Sequence, residues 1–116
     1  MSLRQEIVED LKTIENDLGN PTFSFQGSNY NFIPSISEFK RNLETGGFQL
    51  IRLITATVRM YDYCDETYTP LFNIMPTAQN IIQYSLDGTS YRIESIKLDP
   101  TNSYFRLIGH STVKGL

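Results

Sequence analysis

Between Phe48 and Tyr61 the chain reads FQLIRLITATVRMY, a run without Gly or Pro and rich in Ile, Val, Thr and aromatic residues. At ~3.3 Å per residue, one strand of that run extends beyond about 40 Å. In a chain of 116 residues, the length of one domain, such a strand must organise everything else. Its first half is apolar on both faces, Leu50 and Ile54 against Ile51 and Leu53. Thr55, Thr57 and Arg59 make the second half one-sided. The pattern predicts a strand buried between layers early and exposed on one face later.

The N-terminal segment has a different period. Leu3, Ile7, Leu11, Ile14 and Leu18 recur at helical spacing and predict a helix over 2–18. Ser2 is a candidate N-cap with Gln5 three residues on, and Gly19-Asn20-Pro21 ends the helix. The apolar stripe has two readings: it packs on the domain's own core, or on a partner subunit. Glu6, Glu9, Asp10, Glu15 and Asp17 against Arg4 and Lys12 account for the whole net charge of −3. An acidic balance with scattered bases argues against binding nucleic acid through its phosphates. No apolar run reaches the ~18 residues that span a membrane, and no signal-peptide core opens the sequence, so a soluble, intracellular protein is expected.

From Pro21 onward the texture is β. Thr22–Gln26 and Tyr30–Ile33 flank Gly27-Ser28-Asn29 as a short hairpin. Ile81–Leu86 and Ser90–Leu98 surround Asp87-Gly88, the best hairpin signal in the chain. Tyr91 and Ile93 share one face while Ile96 and Leu98 fall on the other, which predicts a bulge near Glu94-Ser95. Asp99-Pro100-Thr101-Asn102 then turns the chain into a strand over Ser103–Gly109. The expected fold is a single domain over 1–116, mainly β: a small antiparallel β-barrel or sandwich over 22–110 with one N-terminal helix and two long loops. Those loops are Pro34–Gly47 and Asp62–Asn80. Long connections in a small domain are where function is sought. The second holds Leu71, Phe72, Ile74 and Met75, which either fold back on the parent core or dock in a groove on another chain. Phe39, Lys40, Arg41 and Leu43 in the first suggest a helical turn.

No constellation carries chemistry. Cys64 and His110 are the sole Cys and His, and nothing near either supplies the orienting group of a nucleophilic dyad. Asp62, Asp65 and Glu66 around Cys64 put negative charge where a nucleophilic thiolate needs positive, and their spacing lacks the EF-hand ladder. Gly46-Gly47 has no P-loop Lys and reads as a turn. Seven Tyr and seven Phe without a basic groove read as sheet packing. No catalytic, cofactor or metal site is expected.

The order of segments carries more. F-S-F-Q-G-S-N-Y-x-F-I-P-S (Phe23–Ser35), L-E-T-G-G-F (Leu43–Phe48), the long β run, Pro76 before I-I-Q-Y, D-G-T-S-Y-R-I-E-S-I (Asp87–Ile96), Asp99-Pro100 and Y-F-R-L (Tyr104–Leu107) follow one another. This succession, over most of residues 20–115, resembles the small head–tail joining proteins of tailed bacteriophages, also described as head-completion, head-closure or stopper proteins. The family pattern often has a Cys where Phe32-Ile33 and Gly109 stand here. The resemblance implies a small β-barrel with a leading helix and a structural, non-enzymatic role without cofactors. Copies would form a ring, hexameric or of similar order, between the portal–adaptor complex and the tail in a phage or prophage virion, after assembly in the host cytoplasm. The ring would close the DNA-filled head and dock the tail, with no specific nucleic-acid binding and no membrane. The contact residues expected on that reading are Phe39, Lys40, Arg41, Leu71, Phe72, Ile74 and Met75. Tail-completion and tail-terminator proteins are rivals. So, from other classes, are a small-barrel binding module and a Cys64–His110 hydrolase.

Overall fold

The computed structural model describes residues 3–113. The long run forms one strand, β4 (Phe48–Arg59). It lies antiparallel between β3 (Ile33–Asn42) and β9 (Tyr104–Val113). With β1 (Thr22–Phe25), β2 (Ser28–Asn31), β7 (Ile81–Tyr84) and β8 (Ser90–Leu98) they form a seven-stranded sheet, ordered β2-β1-β7-β8-β9-β4-β3. Each neighbouring pair in it is antiparallel. The outermost strands β2 and β3 are one residue apart in the chain, at the fully buried Phe32. The two edges therefore converge there, and the sheet curls around a core that includes Phe23, Phe32, Ile54, Val58, Tyr91 and Phe105. No ladder among the described residues closes it. Of the two architectures expected, the mainly β, antiparallel fold with a leading helix is compatible with the sandwich, and no closed barrel is found.

Burial along β4 runs opposite to the expectation. Ile54, Ala56, Val58 and Arg59 are buried, whereas Phe48 through Leu53 are only partly covered. The reason lies in the neighbours: β8 pairs with β9 only as far as Arg92–His110, so no strand extends the core layer beyond that level. The free ends of β3, β4 and β9 continue past it as an arm, and the molecule measures 58 × 26 × 25 Å. Apolar residues that suggested burial between two layers instead line an arm with water nearby on both sides.

The two long loops are also corrected. Pro34–Gly47 is mostly β3, paired with β4 from Ile33–Thr57 to Asn42–Phe48, without a helical turn at Phe39–Leu43. Ser, Asn and Pro have weak strand preference, but an edge strand needs one good partner, and Val/Ile/Thr-rich β4 supplies it. The first half of Asp62–Asn80 is a hairpin of β5 (Tyr61–Cys64) and β6 (Thr67–Pro70). Asp65 and Glu66 both take positive φ (50° and 63°), the backbone of a type I′ turn without its usual Asn-Gly. The first hairpin turns at Gln26-Gly27, earlier than expected. The Asp87-Gly88 hairpin and the bulge, a register shift between Ile93 and Ser95, stand where the sequence put them.

The leading helix α1 spans Leu3–Asp17, and the Ser2 cap lies outside the described residues. Its end follows the expected Gly19-Asn20 geometry, with φ of 81° and 56°. The buried face is centred on Val8 and Glu15. Ile7 and Leu11 are half-buried, while Leu3, Ile14 and Leu18 of the stripe remain exposed. The stripe thus packs on the domain only in part, and toward the C-terminal end of the helix the buried contact is instead Glu15, ion-paired with Arg59 on β4.

Candidate interaction surface

Arm and body are joined by one guanidinium. Arg52 on β4 reaches Glu38 on β3 (2.7 Å), Asp87 (3.5 Å) and Thr89 Oγ1 (3.1 Å) in the β7–β8 turn. Bonded to Glu38, its pKa is raised, and it stays charged at any physiological pH. Beyond Arg52 the arm carries the first group of expected contact residues. Phe39 sits opposite Ile51 in the ladder and is 48% exposed. The ammonium of Lys40 lies 4.7 Å from the centre of the Phe48 ring, a cation–π contact that holds the lysine stem along the strand. Arg41 is exposed opposite Gln49.

The second group divides. Phe72 stacks on Tyr30 (4.2 Å between centroids, 14° between planes) and meets Phe105 edge-on at 5.6 Å. Phe72 and Met75 pack against the core, Leu71 N–H donates to Met60 O, and Ile74 stands 61% exposed. Of the two fates the sequence left open, Phe72 and Met75 take the parent core. The groups do not meet. Phe105 pairs with Val58 and Phe39 with Ile51, positions about 23 Å apart along β4.

Several exposed apolar residues escaped sequence reasoning: Leu86 (83%) beside the Asp87-Gly88 turn, Ile81 and Leu98. Leu86 had a signal, a large aliphatic side chain next to a turn dipeptide. The residues considered for chemistry lie apart. Cys64 is exposed on the β5–β6 ribbon, whereas His110 lies in β9 with Nδ1 2.7 Å from Glu94 Oε1. Among the described residues no group of three or more His, Cys, Asp or Glu is placed to hold a metal ion. Asp62 is engaged by Lys12 and Arg59, both at 3.2 Å. Partial burial pushes its pKa up, but the hydrogen bond and charge of Lys12, with Arg59, outweigh that and leave it lowered. A cleft of about 410 Å³ is lined by Ser28, Asn29, Asn31, Arg59, Phe72 and Asn73. Four of the five Arg59 donors are already taken by Glu15, Asp62 and the Tyr61 carbonyl, which leaves one Nη2 hydrogen for anything in the cleft. No described helix is long and apolar enough to cross a membrane.

No protein-family model matches the chain, and no curated protein or solved structure matches it either.

Proposed function

We propose that this chain is a structural assembly protein of a tailed phage or prophage, a non-enzymatic subunit of the ring between the portal–adaptor complex and the tail. Two supports are independent of each other. One is the order of motifs in the sequence, which resembles the joining proteins. The other, which carries the reading, is the arm: β3 and β4 extend past the core with Phe39, Ile51, Leu53 and Phe48 only partly covered. A lone domain gains nothing from such an extension, whereas a ring subunit needs surfaces that lap over its neighbours. Phe39, Lys40 and Arg41 on the arm and Leu71 and Ile74 on the loop are the contacts proposed, with Phe72 and Met75 holding that loop against the core. The acidic helix either faces the passage, where its charge would repel sliding DNA, or lies outside against the adaptor.

The deciding experiment is electron microscopy of particles from the phage or prophage carrying this gene, with the gene deleted. Filled or leaking heads beside free, complete tails are expected. Intact virions would reject the role, and heads bearing tails of aberrant length would assign the chain to tail termination instead.

A further inference from the structure

β3 is an open edge. β4 covers one side, and no strand covers the other among the described residues. At the arm tip the Leu43 N–H donates to Gly47 O. In an antiparallel ladder the direction of the backbone groups alternates, so Arg41, Phe39 and Ser37 also address β4. Asn42, Lys40, Glu38 and Ile36 turn their N–H and C=O outward. Pro34 falls in the outward set, where its missing N–H breaks no ladder.

An outward set of backbone groups can bond only to another outward set. A second β3 laid antiparallel on the first can therefore shift only in steps that keep even-numbered residues opposite one another. Charge then selects among the steps. With Phe39 opposite itself, Glu38 of each copy faces Lys40 of the other, and both ion pairs form at directly opposed positions once each Lys40 ammonium exchanges its own Phe48 ring for the facing carboxylate. One step in one direction sets Glu38 against Glu38; one step in the other sets Lys40 against Lys40. In the selected register the two Phe39 rings meet at a non-hydrogen-bonded position, where side chains are closest, with Ile51 behind each. Arg52 bonds one carboxylate oxygen of Glu38, Oε1, and the carboxylate can accept a second donor at the other.

We propose that two copies of the chain pair through β3, antiparallel and centred on Phe39. The pairing continues the sheet across the two molecules and covers the partly exposed Phe39. It stands on β3 alone and describes free chains: a two-fold pair is not the repeating contact of a ring, so entry into a ring would release this edge, and a deletion phenotype that rejects the joining role leaves the pair intact.

Sedimentation of the full chain over a concentration series tests it. The expected result is a species of twice the chain's mass that returns to single chains on dilution. Lys40→Glu and Glu38→Lys each place like charges opposite one another, and each variant alone sediments as a single chain. Mixing the two restores the double-mass species, one copy of each, because every opposed pair is then complementary. In a Cys64→Ser background, Phe39→Cys cross-links on mild oxidation and Ser37→Cys does not, a readout that survives if either charge variant folds poorly. A wild-type chain that stays single at millimolar concentration overturns the proposal. So does a mixture that fails to restore pairing, or equal cross-linking at positions 37 and 39, any of which would assign the edge to a different occupant.

Discussion

Glu15 and Arg59 meet beneath α1 in a two-pronged ion pair, Nε to Oε2 and Nη2 to Oε1 both at 3.0 Å, with both side chains cut off from water. The pair docks the helix in one orientation, since a fork on a carboxylate tolerates little rotation. Removing one partner strands the other's charge in the interior, whereas replacing both with apolar groups of similar size does not. Arg59→Met strands the Glu15 carboxylate and is expected to lose about 3–5 kcal/mol in urea unfolding, and Glu15→Gln less, because Arg59 keeps Asp62. The double variant Glu15→Leu/Arg59→Met is expected to recover most of that loss. If the double variant is as unstable as the singles, the pair contributes net attraction and not only orientation.

Asp62 makes the attachment of the helix sensitive to acid. Its pKa is lowered in the fold, so on acidification the unfolded chain takes up the proton first. The stabilisation it contributes is complete above the ordinary carboxylate value, about 3.9, and is lost as pH falls through the lower folded value. Melting temperatures measured from pH 6 down to pH 2 are expected to hold until about pH 4 and then decline. Asp62→Asn should start lower and decline less steeply. An identical slope in the variant would assign the acid sensitivity to other carboxylates, such as Asp99, whose pKa Thr101 lowers by hydrogen bonding.

Phe72 and Ile74 stand two residues apart with different burdens. Phe72 is stacked on Tyr30 and meets Phe105 edge-on, and Ile74 touches water over most of its surface. Truncating a buried Phe costs ~3–5 kcal/mol, and one that is partly covered costs less, so Phe72→Ala is expected to lose about 2 kcal/mol. Ile74→Asp should leave stability within ~0.5 kcal/mol while blocking assembly of particles. Calorimetry on the isolated chain and complementation of the gene deletion separate the two effects. An Ile74→Asp chain that folds and assembles normally would remove Ile74 from the proposed contacts.

What the sequence disclosed depended on how local the cause was. β4, the Asp87-Gly88 hairpin and the bulge after Ile93 were legible, because each follows from the spacing of neighbouring residues. β3 was hidden, since Pro34, Ser35 and Ser37 become a strand only when β4 lies beside them. The β5–β6 hairpin was hidden by a turn that sets Asp65 and Glu66 where Asn-Gly is the usual signal. Glu15 read as one more acid on the helix, because its partner Arg59 is 44 residues away. The same limit applied to the surface. Phe39, Lys40 and Arg41 were singled out for lying in a supposed loop, yet their exposure comes from a projecting edge strand. Phe72 and Met75 were grouped with Ile74 by proximity in sequence, which says nothing of which side chain turns inward.

Gly109 is required for its lack of a side chain, not for its backbone freedom. It sits in β9 between Ile54 on β4 and Ile93 on β8, where a Cβ would lie 3.0 Å from the Arg92 carbonyl oxygen and 3.3 Å from Ile54 Cγ2. That approach is made next to the bulge, where β8 has one residue more than β9. A carbonyl oxygen cannot rotate away as a flexible side chain can, so a methyl there needs the β8 backbone to give by a few tenths of an ångström. Gly109→Ala is expected to cost about 1–3 kcal/mol, a drop in melting temperature of roughly 5–15 °C, and Gly109→Cys at least as much. An unchanged melting temperature for Gly109→Ala would mean that the strands lie further apart at the bulge than their register implies.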